Sequence, residues 1–291
     1  MVDAAARRLA GLDNKIVGVF TYEHALSPQM MDFYGPLLNG LERAAERLGC
    51  DLLFFTGTPT ESGSKRIFHP ATRLRLADGC ILLGKEMHSG DLTRLVKESF
   101  PFVAVGRRDE LGVPYVGIEY ISLTTSLLSA AAERGHTEAV YVHQDKDTPS
   151  SNDRLAAIDN AESDGLLRIS KTSVEARSIQ EIAGQLTSSR ATLAIVEDLY
   201  DAIDLVAALS DLGIAVPDDL SLAVLAEVNG HRVGDRQLSG FNLPREHIAS
   251  EALELLQSLL LAKDTDAPAT QTLLHGSIQI GETLVPTKGE L

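Results

Sequence analysis

Apolar residues along this chain fall into short runs that alternate with stretches of helical spacing. Ile16-Val-Gly-Val-Phe-Thr21 reads as a strand. Leu37, Leu38, Leu41, Ala44, Ala45 and Leu48 then recur at the spacing of one helix face, with Gly49 as the stop. Residues 51–56 predict the next strand, followed by a loop rich in Gly, Thr and Ser. Residues 78–83 predict a third strand. A helix near 92–99 leads to a fourth at 101–105, and 113–118 reads as another extended piece. The alternation then repeats, with helices at 123–134 and 153–162 around a strand at 138–142. After an irregular middle come a helix near 179–186, a strand at 192–196, a helix over 199–212 and a strand at 220–225. An amphipathic helix at 248–261 and a last strand at 272–280 complete the pattern. Repeated strand–helix units predict parallel sheets covered by helices on both faces, and two such runs predict two doubly wound α/β domains. In such sheets ligands sit at the carboxyl ends of the strands.

Composition narrows the class. The 291 residues are 44% hydrophobic and 23% charged, an ordinary globular balance with room for two well-buried cores. No run approaches the roughly 18–20 apolar residues of a membrane helix, and the N-terminus lacks an apolar signal core. Cys50 and Cys80 are too few for a disulfide framework and lie beside apolar runs, so both are expected as reduced core residues of a cytoplasmic protein. The net charge of −15 sets 41 acidic residues against 26 basic ones. Binding to nucleic acid without sequence preference runs on Lys and Arg contacts to phosphate, so this chain alone is not expected to hold DNA.

The most informative stretch is Leu209-Ser-Asp-Leu-Gly-Ile-Ala-Val-Pro-Asp-Asp-Leu-Ser-Leu-Ala-Val-Leu225. Gly213 suits the left-handed position after a helix, Pro217 marks a boundary, and Asp218 and Asp219 suit the turn before a buried strand. This spelling resembles the helix–G-x-x-V-P-D-D-x-S–strand unit of the lactose-repressor (LacI/GalR) family of transcriptional regulators. Further pieces resemble the effector-binding region of that family in the same order. They are Ile16-Val-Gly-Val, the helix from Phe33 to Gly49, Ala77-Asp-Gly-Cys-Ile-Leu, and Pro101-Phe-Val-Ala-Val-Gly-Arg-Arg108. Glu133-Arg-Gly-His136 with Arg154 beyond it, Leu243-Pro244 and Gly281-Glu-Thr-Leu-Val-Pro286 continue the series. Ala4-Ala-Ala-Arg-Arg-Leu-Ala-Gly-Leu-Asp-Asn14 resembles the hinge helix of the family, in which a Leu like Leu9 enters the minor groove and residues like Arg7 and Arg8 contact phosphates. A solvated, frayed leader is the competing reading of that segment. Too few residues precede the first strand to hold a helix-turn-helix headpiece. Either a longer protein supplies one, or the chain senses without binding DNA.

The resemblance implies two Rossmann-like, doubly wound parallel-sheet subdomains joined by three crossovers, the periplasmic-binding-protein-like type I fold. The N-subdomain is then expected at 15–119 plus 243–266 and the C-subdomain at 120–242 plus 267–287. Residues 1–14 would be a hinge-helix or linker remnant and 288–291 a tail. The function implied is the effector-sensing and dimerisation core of a regulator. It would bind a small molecule of the sugar or sugar-derivative class between the subdomains, as a homodimer, and control operator DNA through a headpiece absent from this sequence. A free-standing solute-binding protein of the same fold is the alternative, and a sugar- or nucleotide-modifying enzyme a more distant one.

The resemblance also assigns site residues. Arg154 is expected to make forked hydrogen bonds to effector hydroxyls or carboxylate, against the plainer role of a helix-start Arg paired with Asp153. Asp198 is expected beside the effector, with a helix N-cap as the competing role. Tyr22, Glu23, Phe33 and Tyr34 follow the first strand, where the family has a cleft wall, although Phe33 suits a core equally. Gly84, Lys85, Gly106, Arg107, Arg108 and Glu119 complete the expected rim. Where the family ends the strand after P-D-D-x-S with an Asp that binds sugar hydroxyls, this chain has Ala226; Glu227, one position later, is the candidate to reach the ligand in its place, although successive strand residues point to opposite faces. No catalytic constellation is found. Residues 57–65 follow a strand as a phosphate loop does, but their spacing departs from G-x-x-x-x-G-K-[ST], and G-x-S-x-G, G-x-G-x-x-G and H-E-x-x-H are absent. The 8 His show no pair at metal-ligand spacing, and His136 reads as a helix end, so neither metal nor cofactor is expected.

Overall fold

Strands that are apolar on both faces need cover on both faces, and the chain meets this need twice over. The computed structural model describes residues 15–27, 30–55, 65–70, 72–262 and 270–287. In chain order the first unit builds β1 (Ile16–Thr21), α1 (Met31–Leu48), β2 (Asp51–Phe55), β3 (Gly79–Leu83), α2 (Ser89–Lys97), β4 (Phe102–Val105) and β5 (Tyr115–Ile118). The chain then leaves for a second unit at Glu119. There it forms α3 (Tyr120–Ala132), β6 (Glu138–His143), α4 (Pro149–Ser163), β7 (Arg168–Ser173), α5 (Ile179–Ser188), β8 (Leu193–Val196) and α6 (Leu199–Asp211). β9 (Ser221–Glu227), β10 (Arg232–Val233), β11 (Arg236–Gln237) and β12 (Ser239–Asn242) follow. From Pro244 it returns to the first unit as α7 (Arg245–Leu261) and β13 (Gln271–Leu274), and from His275 it re-enters the second unit with β14 (Ser277–Gln279).

The first unit holds a six-stranded sheet in the order β13-β5-β4-β3-β1-β2, parallel throughout. The five residues of β3 are all buried. Its core gathers Phe20, Phe55, Ile67, Leu82, Leu92, Leu95 and Phe102. On the other face α1 packs along α7, burying Leu37, Leu41, Ala44 and Ala45 against the helix that carries Ile248, Ala249, Ala252 and Leu253. α1 stops at Gly49, whose left-handed backbone (φ 67°) lets its N–H reach the last carbonyls of the helix.

The second unit holds a six-stranded sheet in the order β14-β12-β9-β8-β6-β7, in which only the β12–β14 pair is antiparallel. Ile182, Leu186, Leu205, Leu209, Leu222 and Val224 build its core between the sheet and α5 and α6. Each such side chain contributes about 1.5–3 kcal/mol by leaving water. α6 gives way to Gly213 at φ 77°, and Asp219 accepts a hydrogen bond from the Ala215 N–H at 2.9 Å, so the turn before β9 is built as its spelling predicts.

Three parts of the sequence reading need correction. The single strand expected at 272–280 is two strands in two sheets: β13 pairs with β5 and β14 with β12. The third crossing therefore falls between Leu274 and His275, and 270–274 belongs with the first unit rather than the second. The irregular middle contains β7, an edge strand whose Arg, Ser and Lys positions give no apolar run. β10 and β11 are likewise strands where none was expected, and β12 is the strand that runs into the second crossing. Residues 1–14, with Arg7, Arg8 and Leu9, and residues 56–64 and 288–291 lie outside the described residues.

Candidate functional site

Each sheet has one strand at which the winding direction reverses. In the first unit it is β1, flanked by β2 and β3, and in the second it is β6, flanked by β7 and β8. The helices that leave such neighbouring strands diverge, which opens a crevice at their carboxyl ends. The residues just beyond β1 and β3, and just beyond β6 and β8, are thus the natural candidates.

In the first unit Glu23, beyond β1, is a tie-point. The Tyr34 hydroxyl of α1 donates to Glu23 Oε2, and the backbone N–H groups of Lys85 and Glu86, beyond β3, donate to Oε1 at 2.9 and 3.4 Å. Lys65 Nζ donates to the Glu23 carbonyl at 3.0 Å. Tyr34 is fully buried, and burial, followed by the nearby Glu23 carboxylate, pushes its phenol well above the ordinary range. Tyr22 is also buried, edge-on to Phe20 at 4.9 Å, and burial raises its phenol as well. Among the described residues its hydroxyl has no hydrogen-bond partner. Both tyrosines therefore belong to the interior of the unit rather than to an exposed wall. Gly84 passes so close to Tyr22 that an added Cβ would lie 3.0 Å from the Tyr22 Cβ.

Beyond β4, Arg107 pairs with Asp109, while Arg108 turns inward. The Arg108 guanidinium donates to the carbonyls of Gly84 (2.8 Å), Arg107 (3.1 Å) and Val105 (3.3 Å), which fastens the ends of β3 and β4 together. Burial lowers its pKa from the usual value. Phe33 lies under Arg245, 4.1 Å from the ring centre, with Lys85 at 5.1 Å, so it serves as a platform for two cations.

In the second unit the charged group at the switch strand is a pair. Arg154 on α4 donates through Nε to the Leu225 carbonyl of β9 at 2.8 Å and stacks on the Tyr120 ring at 4.0 Å. Its Nη1 lies 3.7 Å from Glu197 Oε1, beyond hydrogen-bond reach but within ion-pair distance. Glu197, the first residue beyond β8, is only 8% exposed. Its carboxylate accepts from the Ser151 hydroxyl (2.6 Å), the Tyr141 hydroxyl (3.2 Å) and the Gln144 N–H (3.4 Å). A buried carboxylate needs such compensation, and here four separate groups supply it.

Asp198 is the N-cap of α6, accepting from the N–H groups of Tyr200 (2.8 Å) and Asp201 (3.4 Å). Glu119 is the N-cap of α3, accepting from the Ser122 N–H at 2.8 Å and from the Ser122 hydroxyl. Ala226 packs against the apolar core of the unit, and Glu227 ends β9 beside Phe241 of β12. Sequence reading left Tyr120, Tyr141, Gln144 and Ser151 unassigned. The one available signal was Glu197 itself, a carboxylate directly after four buried strand residues.

His136 ties two segments of the second unit together, with ring nitrogens at hydrogen-bond distance from the Thr192 hydroxyl and the Val285 carbonyl. No cluster of three or more His, Cys, Asp or Glu suited to a metal ion occurs among the described residues. No helix among them is long and apolar enough to cross a membrane.

Comparison with known proteins agrees with this architecture. The family described as a periplasmic binding protein-like domain matches residues 128–284. Catabolite control protein A of Staphylococcus xylosus is 24% identical over 275 residues, 91% of this chain and 81% of that protein. A transcription regulator-like protein from Staphylococcus haemolyticus superposes with a TM-score of 0.76 at 14% identity, covering 94% of this chain and 100% of that one. A LacI family transcriptional regulator from Enterococcus faecium, solved with bound ribose, superposes with a TM-score of 0.72 at 16% identity, covering 94% and 100%.

Proposed function

Because this chain belongs to the periplasmic binding protein-like domain family, we propose that it is the effector-sensing and dimerisation core of a lactose-repressor-type transcriptional regulator. The observation that carries this reading is Arg154. It is a guanidinium held on three sides by the Leu225 carbonyl, the Tyr120 ring and the Glu197 carboxylate, at the carboxyl ends of the strands where the winding reverses. Among the described residues only Nε of the guanidinium is spent on a hydrogen bond within the unit, and a ligand rich in hydroxyl oxygens needs fixed donors such as its Nη nitrogens. Glu23, Gly84, Arg107, Glu119, Asp198 and Glu227 supply polar groups at the same ends of their sheets, with Tyr22 and Tyr34 supporting them from within.

The ligand is a small molecule of the sugar or sugar-derivative class, in keeping with the ribose bound by the Enterococcus faecium regulator. The chain performs no catalysis, works in the cytoplasm as a homodimer, and passes effector binding on to operator DNA. That transfer is allosteric: the effector must bind one of two conformations more tightly than the other, since equal affinity shifts nothing.

A thermal-shift screen of the chain against sugars, sugar phosphates and nucleosides tests this reading, with Arg154→Ala alongside. A ligand at about 100 times its Kd adds roughly 2.7 kcal/mol of stability. The expected result is a hit that disappears in Arg154→Ala. A hit that persists in that variant would move the site away from these strand ends.

A further inference from the structure

We propose that Glu197 makes the second unit's strand ends selective against anions, so that the group meeting Arg154 is an uncharged hydroxyl and not a phosphate or carboxylate. This rests on the reading of Arg154 as a ligand-facing residue and adds the sign of the charge it accepts.

Three observations support it. First, Arg154 has one hydrogen-bond acceptor among the described residues, the Leu225 carbonyl on Nε, which leaves the four N–H donors of the two Nη nitrogens for a ligand. Second, a carboxylate already stands beside those donors, with Glu197 Oε1 3.7 Å from Nη1. Third, that carboxylate cannot retreat. It is nine-tenths buried and anchored by three donors, Ser151 of α4 and Tyr141 and Gln144 within and just beyond β6.

An anion forked onto Arg154 would place its oxygens beside a fixed negative charge in a water-poor site, where like charges repel strongly. A hydroxyl meets both groups at once, because it accepts from Nη1 while donating to Oε1. The gap of 3.7 Å is short enough for one oxygen to lie within hydrogen-bond distance of both. Glu197 is thus a specificity-determining residue: it completes the cradle for a neutral polyhydroxy ligand and closes it to the phosphorylated or oxidised forms of the same compound.

Inorganic phosphate is a probe that needs no knowledge of the effector. The thermal midpoint of the chain is followed against phosphate at constant ionic strength, in wild type, Glu197→Gln, Glu197→Asn and each combined with Arg154→Ala. Constant ionic strength separates binding from the screening of a chain that carries −15. The expected result is a flat wild-type response and a saturable shift in the Glu197 variants that vanishes once Arg154 is also removed. Loss of one adjacent like charge is expected to tighten phosphate on the order of a hundredfold. Two amide variants of different length guard against one that packs badly, and circular dichroism checks both. Saturable phosphate binding by wild type that depends on Arg154 overturns the proposal, as does silence in both folded variants. The sugar screen asks whether these strand ends sense a small molecule at all, and the phosphate titration asks which charge they reject, so each idea fails separately.

Discussion

His136 shows what it takes to bury an ionisable ring. The Val285 carbonyl can only accept, so Nε2 carries the proton, and Nδ1 must accept from the Thr192 hydroxyl. The neutral ring is fully satisfied, and burial holds the pKa below the ordinary value. The unfolded chain takes up a proton near pH 6.5, where the folded chain resists it. The contribution of this ring to stability is therefore present above about pH 6.5 and is lost as pH falls from there through the depressed folded value. Urea midpoints measured through this window should decline for wild type and decline less for His136→Gln; identical slopes would show that other groups set the profile. Asp198 yields a second expectation at this scale. Its carboxylate caps α6, so Asp198→Ala should cost about 1 kcal/mol in chemical denaturation, while Asp198→Ser recovers most of that loss. Asp198 was legible as a helix cap because a strand run followed by a helix leaves a local mark, whereas Arg154, in the second turn of α4, was singled out only by the family resemblance. The groups around Arg154 and Glu197 were not legible. Tyr120, Tyr141 and Ser151 come from separate elements, and nothing in local spacing says that the first stacks on Arg154 while the other two meet Glu197.

Among the elements, α1 and α7 carry the sharpest packing constraint. A Cβ added at Gly40 would lie 2.2 Å from the Glu246 carbonyl oxygen, with backbone rather than a yielding side chain in the way. Gly40→Ala should gain up to about 1 kcal/mol of helix propensity. Overpacking should cost about 1–3 kcal/mol, so the helices are forced apart and the net effect is destabilising. Gly184 on α5 is the control, since nothing lies within 4 Å of its added Cβ. Gly184→Ala should raise the unfolding midpoint, and a rise in both variants would refute the close approach at Gly40. The same contrast explains which elements the sequence disclosed. β1, β3, β8 and β9 are buried on both faces, so hydrophobic runs reveal them. β7 lies at a sheet edge and β10 and β11 are two residues each, so neither has to be apolar. The split between β13 and β14 was hidden for another reason: a change of sheet alters the hydrogen-bond partners but not the alternation of side chains.

Charge governs the behaviour of the molecule as a whole. With 41 acidic and 26 basic residues the chain repels itself, and a phosphate backbone repels it further. Binding to duplex DNA without sequence preference gains its free energy from counterions released as Lys and Arg neutralise phosphates, and each such contact steepens the loss of affinity with salt. Here the basic residues are outnumbered and many are already engaged: Arg66 with Asp91, Arg94 with Glu98, Arg168 with Glu138, Lys171 with Asp159 and Glu162. The operator coupling proposed above therefore cannot rest on phosphate contacts by these engaged residues. Two results follow from the same sum of charges. Adding neutral salt to a low-salt buffer should raise the thermal midpoint, because screening relieves self-repulsion. The isolated chain should leave the mobility of an arbitrary duplex unchanged even at low salt. A retarded complex whose affinity falls steeply with salt would mean that a basic stripe strong enough to overcome −15 exists on the surface of this chain.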